Sequence, residues 1–320
     1  MEYVLQTAGG IAGIALLYYG AEFLIKGGVS IALKLKISAL VIGLTLVAFG
    51  TSFPELVVSV NATLKGAGDI SIGNVVGSNI CNIALILGLS ALISPLPVHK
   101  QLLKLDVWLM LGASVLLAVF HYFYQGVTRW QGGVFFAGVL TYTVWSIFAG
   151  RKAEQNKSEA EKAADNDELG KELPLILSII FVIGGLAALM FGGKLFVNAA
   201  VFAALKLGVS DAVIGLTIVA LGTSLPELAT SVVAAIKGEQ DIAIGNVVGS
   251  NIFNVLCILG IAPLISPIRS AGISPIDMLV MLGVSVLLVP IMLTGMKISR
   301  KEGGLLLLIY IGYTYYLFVK

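Results

Sequence analysis

The stretch VIGLTLVAFGTSFPELVVSV occupies positions 41–60, and VIGLTIVALGTSLPELATSV follows 172 residues later, at positions 213–232. A second motif, GNVVGSN, comes after each copy, at positions 73–79 and 245–251. The two copies align without a gap from the first motif through the second, and about two-thirds of the aligned residues are identical. The chain therefore contains an internal duplication, and its two halves are expected to share one fold.

The composition is typical of a membrane protein. The 320 residues are 58% hydrophobic and only 12% charged, with a mean hydropathy of +0.99. A soluble domain carries about 25% charged residues, twice as many. The net charge of +2 and the lack of a basic domain argue against nucleic acid as a partner. Cys81 and Cys257 fall in apolar segments and show no disulfide or metal-site spacing.

Apolar segments long enough to cross a bilayer, about 20 residues each, recur along the whole chain. We predict an all-α polytopic membrane protein with ten transmembrane helices and membrane lipid around it. A polar linker at 150–173 separates a first five-helix repeat, residues 1–149, from a second one, residues 174–320. The predicted spans are about 3–28, 38–64, 70–95, 103–122, 128–149, 174–200, 210–236, 242–266, 275–294 and 302–319.

An odd number of spans in each repeat makes the second repeat enter the membrane from the opposite side, as in transporters with inverted repeats. Gly132 and Gly304 keep the 172-residue offset, which extends the duplication beyond the motifs. Fourteen of the twenty Lys and Arg residues fall in loops on one side, which is therefore expected to be cytoplasmic. We predict a plasma (inner) membrane protein with both termini extracytoplasmic and a cytoplasmic linker; the sequence is compatible with a monomer.

Each copy of the first motif places a glutamate, Glu55 or Glu227, inside an apolar segment. A carboxylate at membrane depth is costly and by default indicates a functional site. Pro54 and Pro226 lack the backbone N–H group and are expected to break the helix one residue before each glutamate. Carbonyl groups freed at such a break are tolerated where they line a cavity or meet a partner. Two equivalent breaks therefore predict one shared cation site.

Hydroxyl and amide side chains surround each glutamate. Thr51 and Ser52 lie within one helical turn of Glu55, and Ser78 and Asn82 share a helical face four residues apart. No His or Cys occurs in a ligand-like arrangement, and oxygen ligands suit Na⁺, Ca²⁺ or Mg²⁺ rather than zinc or copper. The flexible coordination of Ca²⁺ fits this set better than the strict octahedron of Mg²⁺. The equivalent residues of the second repeat are Thr223, Ser224, Glu227, Ser250 and Asn254.

Other polar residues near the motifs are expected to have structural roles, because a lone polar side chain in a membrane helix usually bonds a neighbouring helix. This interpretation applies to Ser59, Ser231, Asn61, Asn79 and Asn251. Asn74 and Asn246 are expected to cap or brace a helix break. Glu22 has Lys194 at the matching position of the second repeat, and we expect it to be interfacial or to pair with Lys26.

The doubled GTSxPE and GNxxGSN motifs closely resemble the α-repeats of the sodium/calcium exchanger family, in the calcium/cation antiporter superfamily. The short linker makes the chain similar to the compact prokaryotic members. The resemblance implies a secondary antiporter, not an enzyme, that exchanges Na⁺ for Ca²⁺ by alternating access. It implies Na⁺ and Ca²⁺ as substrates and no cofactor. It also implies that the first and sixth spans move against the remaining helices.

The resemblance further implies a role for each motif residue. Glu55 and Glu227 would be ligands shared by Ca²⁺ and Na⁺, and the carbonyls of Thr51 and Thr223 would complete the Ca²⁺ site. Asn82 and Asn254 would sit at the centre. Some family members carry Asp where this chain has Asn254, so only two fixed negative charges remain here, which fits electrogenic exchange. The flanking Na⁺ sites would use Ser52, Ser224, Ser78 and Ser250 with the carbonyls of Ala48 and Ala220.

Three other functions stay open at this point. An H⁺/Ca²⁺ exchanger could use the same site, because a buried glutamate can bind a proton. A cation channel could use the same oxygens, although channels usually build them into rings in symmetric oligomers. A membrane enzyme would need a catalytic constellation, and the two histidines, His99 and His121, lie at span ends away from the motifs.

Overall fold

The computed structural model describes residues 2–156, 173–208, 214, 218 and 220–319. The first half forms α1 (Glu2–Leu35), α2 (Ala39–Thr51), α3 (Phe53–Leu64), α4 (Gly68–Ile93), α5 (Leu102–Tyr124) and α6 (Arg129–Gln155). The second half forms α7 (Leu175–Lys206), α8 (Leu225–Lys237), α9 (Gln240–Ile265), α10 (Pro275–Leu293) and α11 (Arg300–Val319).

The helices of the described residues are those of a membrane protein. Eight of them are long and apolar enough to cross a bilayer, and the bent pair α2 and α3 makes a ninth span. The remaining predicted span is the seventh in chain order, about 210–236. It begins outside the described residues, and its described helices are the turn Ala220–Gly222 and α8. Most of the predicted linker, 150–173, also lies outside them.

Both GTSxPE motifs interrupt a helix. The axis bends by 44° between α2 and α3, and Ser52 stands between them with φ −80° and ψ 4°. Ser224 has nearly the same backbone angles, φ −86° and ψ 6°, immediately before α8. Pro54 and Pro226 fall in the first turn of the helix that follows, where a missing N–H group costs no intrahelical hydrogen bond. The breaks predicted from Pro and Gly are therefore present.

The GNVVGSN motifs lie in continuous helices. Each of α4 and α9 widens into π-helical turns just after its motif, at Cys81–Leu87 and Asn254–Ile258. Such turns are rare and frequently occur at functional sites. Each π-helical turn contains one of the two asparagines predicted as ligands. Glycine permits close packing of α9 on α2, because a Cβ atom on Gly249 would lie 2.6 Å from the carbonyl oxygen of Leu44.

Helices α1 and α7 pack along each other through small residues. A Cβ atom on Gly13 would lie 2.8 Å from the carbonyl oxygen of Gly192, and one on Gly27 would lie 2.7 Å from that of Ser178. Residue numbers fall along α7 as they rise along α1, so the two helices run antiparallel. Small residues let membrane helices approach closely at the backbone.

Two very short strand pairs join loops from the two halves. Leu96–Pro97 pairs antiparallel with Lys297–Ile298, and Gly126–Val127 pairs antiparallel with Ile268–Arg269. The all-α prediction did not include these pairs. They tie the connections after α4 and α9 to the connections before α11 and α6, and leave the helical architecture unchanged.

The strand pairs also correct the register of the duplication. The first strands of the two halves differ by 172 residues, but the second strands differ by 171. A Cβ atom on Gly132 would lie 3.0 Å from the carbonyl oxygen of Gly260, and one on Gly303 would lie 2.7 Å from that of Gly88. Gly132 therefore corresponds to Gly303, and the predicted correspondence with Gly304 is wrong. The second repeat is one residue shorter between the two strands.

Candidate cation-binding site

The two glutamates lie in the first turns of α3 and α8, and both are fully buried. The positive end of the helix dipole favours a carboxylate at this position. Ser52 Oγ donates a hydrogen bond to Glu227 Oε1 at 3.0 Å, and Ser224 Oγ donates one to Glu55 Oε1 at 3.2 Å. Each glutamate is thus held by the serine of the other repeat. This cross-pairing brings the two helix breaks together at one place.

Four buried carboxylate and amide oxygens around these breaks accept no hydrogen bond from the described residues. A buried acceptor without a donor costs about 1–3 kcal/mol, and more when it is charged. All four belong to residues predicted to bind cations, and a hard cation would satisfy them together. The four atoms are Glu55 Oε2, Glu227 Oε2, Asn82 Oδ1 and Asn254 Oδ1.

Neighbouring asparagines fix the two central amides. Asn82 Nδ2 donates to Asn251 Oδ1 at 3.2 Å, and Asn254 Nδ2 donates to Asn79 Oδ1 at 3.1 Å. The nitrogen of each central amide is therefore engaged, and its oxygen is left for another partner. Asn79 and Asn251 make the interhelical hydrogen bonds expected of them. Sequence reasoning missed Met110, whose Sδ accepts from Asn251 Nδ2 at 3.6 Å, because a buried methionine is typical of any apolar helix face.

The residues implied for the flanking Na⁺ sites also meet in pairs. Ser224 Oγ lies 3.3 Å from Ser78 Oγ, in addition to its bond with a glutamate. Ser250 Oγ lies 3.5 Å from the carbonyl oxygen of Ala48. Ala220 begins the helical turn that runs to Gly222, just before the second break. Hydroxyl and carbonyl oxygens of both repeats therefore flank the glutamates.

Asn74 and Asn246 brace the helix breaks. Asn246 Nδ2 donates to the carbonyl oxygen of Glu227 at 3.3 Å and to Ser231 Oγ at 2.9 Å, and its Oδ1 accepts from Thr51 Oγ1 at 3.0 Å. Donor and acceptor atoms are all engaged, so this side chain stabilises the break and leaves no oxygen unpartnered. In the first repeat, Asn74 makes the corresponding contacts with Glu55, Ser59 and Thr223.

Glu22 has a partner on another helix in addition to the expected Lys26. Its carboxylate lies 3.1 Å from the ammonium group of Lys237 on α8, and 4.0 Å from that of Lys26 on its own helix. Position 237 is distant in sequence, so no local pattern could indicate this contact. The stronger pair therefore joins two different helices.

The donor set suits a hard cation that is bound and released. Among the residues that the structure describes, no group of three or more His, Cys, Asp or Glu side chains could hold a metal. The site instead combines two carboxylates with neutral hydroxyl, amide and carbonyl oxygens. Ca²⁺ accepts six to eight such oxygens in flexible geometry. A buried oxygen site at the junction of two repeats in an all-helical membrane fold is typical of an ion transporter.

Comparison with known proteins identifies the family. The family model described as sodium/calcium exchanger protein matches residues 5–148 and 177–319. The putative antiporter CaxA of Alkalimonas amylolytica is 38% identical, with 96% of this chain and 97% of the relative covered. The sodium/calcium exchanger MaX1 of Methanosarcina acetivorans is 36% identical, with the same coverage of both chains.

A solved structure gives the same result. The sodium-calcium exchanger NCX_Mj superposes with a TM-score of 0.81 at 36% sequence identity, over 96% of this chain and 97% of that one. Matches to both halves at this identity and coverage establish the relationship. The chain belongs to the sodium/calcium exchanger family, a family of transporters and not of enzymes.

Proposed function

We propose that the protein is a secondary antiporter that exchanges Na⁺ for Ca²⁺ across the membrane. The observation that carries the proposal is the set of four buried carboxylate and amide oxygens around Glu55 and Glu227 that have no partner among the described residues. Two buried carboxylates without a cation are strongly disfavoured. Both ions would need the same two carboxylates and would compete for them. Exchange then follows, because an empty, doubly charged site is costly to keep in the membrane while its access changes from one side to the other.

The roles of the individual residues form part of this proposal. Glu55 and Glu227 bind both ions, and the amide oxygens of Asn82 and Asn254 complete the centre. The backbone carbonyls of Thr51 and Thr223 serve the Ca²⁺ site. The hydroxyl groups of these two threonines already donate to Asn246 and Asn74. The Na⁺ ligands on either side are Ser52, Ser224, Ser78, Ser250, Ala48 and Ala220.

The architecture that we propose is two inverted five-helix repeats, residues 1–149 and 174–320, joined by a cytoplasmic linker at 150–173. The antiparallel packing of α1 and α7 supports it, because these are the equivalent first helices of the two repeats. The distribution of Lys and Arg supports an orientation with both termini on the extracytoplasmic side of the inner membrane.

Alternating access would come from α1 and α7 sliding over the helices that carry the site. Neither helix contributes a residue to the site described above. The two helices would move as one unit, because glycine lets their backbones pack closely against each other. This movement would open the site first to one side of the membrane and then to the other.

The test is uptake of ⁴⁵Ca²⁺ by proteoliposomes loaded with Na⁺, compared with proteoliposomes loaded with choline. Uptake is expected only with internal Na⁺. It is expected to vanish in Glu55→Gln and in Glu227→Gln, because each substitution removes one of the two fixed charges. Glu239→Gln, in the loop before α9, is the matched control and is expected to leave uptake unchanged.

A parallel uptake measurement with a pH gradient and no Na⁺ distinguishes the proposal from its main alternative. Uptake that a pH gradient drives without Na⁺ would instead identify an H⁺/Ca²⁺ exchanger, with the same glutamates as proton carriers. Passive Ca²⁺ flux that needs no counter-ion would identify a channel. Either result would overturn the Na⁺/Ca²⁺ proposal.

A further inference from the structure

One ion pair links a helix that the proposed mechanism moves to a helix that it holds still. Glu22 of α1 and Lys237 at the end of α8 approach to 3.1 Å, with 22% and 39% of their side chains exposed. The ammonium group of Lys237 also lies 5.9 Å from the ring centre of Tyr18, one helical turn away on α1. Two contacts from one lysine therefore fasten α1 to the core.

The pair lies on one side of the cation site. Lys237 is ten residues from Glu227 along α8, which at about 1.5 Å per residue is about 15 Å. Closing α1 against this end of α8 would cover the path between the site and that side of the membrane. By the distribution of Lys and Arg, that side is the cytoplasmic one.

The other repeat cannot form the same pair. The position equivalent to Glu22 is Lys194 on α7, and the position equivalent to Lys237 is Lys65 at the end of α3. The two lysines repel each other, whereas Glu22 and Lys237 attract each other. The duplicated fold thus carries opposite electrostatics at its two ends.

Helix packing has the same asymmetry. Helix α1 lies along α8, whereas α7 has no comparable contact with α3, although the structure describes both of these helices in full. In the structure, therefore, the pair is formed and α1 lies against α8 on the Lys237 side. Without the pair, two repeats of the same fold would be expected to close against their cores about equally.

We propose that Glu22 and Lys237 are positioning residues that hold α1 against the core on the Lys237 side, and so bias the transport cycle toward the state closed on that side. The inference rests on the proposed movement of α1 and α7. Exposed ion pairs stabilise a conformation only weakly, so the expected bias is about two- to five-fold in the ratio of the two states.

Hydrogen–deuterium exchange of the full-length protein in lipid nanodiscs tests the proposal without relying on transport. In choline chloride buffer free of Na⁺ and Ca²⁺, Glu22→Gln and Lys237→Gln are expected to speed exchange at the end of α8, residues 231–240. The same variants are expected to slow exchange at the end of α3, residues 59–68, because a shift of population uncovers one end and covers the other. A substitution that only destabilised the fold would speed exchange at the ends of both α8 and α3.

Lys26→Gln is the matched control. Lys26 lies 4.0 Å from the same carboxylate but on the same helix, so its removal breaks no link between helices and is expected to change neither segment. Lys194→Glu tests the same idea in the other repeat, since it places a carboxylate opposite Lys65 and creates an ion pair there. It is expected to slow exchange at residues 59–68 and speed it at residues 231–240.

The proposal is overturned if Glu22→Gln changes neither segment, or if both segments change in the same direction. Raising the choline chloride concentration is expected to shrink the difference from wild type, because salt screens an exposed pair. A protein that shows opposite shifts but no Na⁺-dependent uptake would keep this inference and lose the ion assignment. Exchange of Na⁺ for Ca²⁺ without these shifts would contradict this inference and support the ion assignment.

Discussion

Asn254 has one atom of its amide engaged and one free. Its Nδ2 donates to Asn79, and its buried Oδ1 accepts from no described residue. Asn254→Ala is expected to raise the half-saturating Ca²⁺ concentration about ten-fold or more, since a polar contact with a charge is worth about 1.5–3 kcal/mol. Asn254→Asp is expected to lower it, because added ligand charge strengthens Ca²⁺ binding. Initial rates of ⁴⁵Ca²⁺ uptake against external Ca²⁺ measure both effects.

Asn61→Ala is the control for these variants, because Asn61 is an exposed asparagine on α3 away from the breaks. It is expected to leave the half-saturating concentration unchanged. If Asn254→Ala behaved like this control, the free Oδ1 would not be an ion ligand, and the centre of the site would rest on the two glutamates alone.

At the scale of helices, the glycine contact between α1 and α7 gives a prediction with an internal control. A Cβ atom on Gly185 would lie 2.6 Å from the carbonyl oxygen of Gly20, whereas one on Gly184 would have no atom within 4 Å. Gly185→Ala is therefore expected to push the helices apart and destabilise the protein by about 1–3 kcal/mol. Gly184→Ala is expected to have no such effect. Thermal unfolding in detergent compares the two variants, and equal melting temperatures would contradict the close packing.

The sequence predicted the elements better than the contacts between them. Glycine, proline and apolar length indicated the spans and the breaks before Glu55 and Glu227, because these signals are local. The crossed bonds from Ser52 and Ser224 to the glutamates of the opposite repeats were not predictable, since they depend on how the two repeats pack. The contact of Glu22 with Lys237 was not predictable for the same reason. The strand pairs were too short to leave any alternation in the sequence.

At the scale of the whole molecule, the proposed orientation can be tested with single cysteines. Lys65→Cys is expected to react with a membrane-impermeant thiol reagent added to intact cells, and Lys100→Cys is expected to react only after permeabilisation. The native thiols of Cys81 and Cys257 are both buried and give little background. The opposite pattern would reverse the topology and place the Glu22–Lys237 pair on the outer side.

The charge of the site predicts a dependence of transport on membrane potential. One Ca²⁺ would neutralise the charges of Glu55 and Glu227, whereas three Na⁺, the number that the family resemblance implies, would leave an excess positive charge that crosses the membrane with them. With Na⁺ inside and Ca²⁺ outside, each cycle then moves one net positive charge outward. An inside-positive potential set with K⁺ and valinomycin is expected to speed ⁴⁵Ca²⁺ uptake, since about 100 mV is worth about 2.3 kcal/mol per charge. A rate that does not respond to the potential would mean that two Na⁺ balance each Ca²⁺, and that the third Na⁺ is not carried.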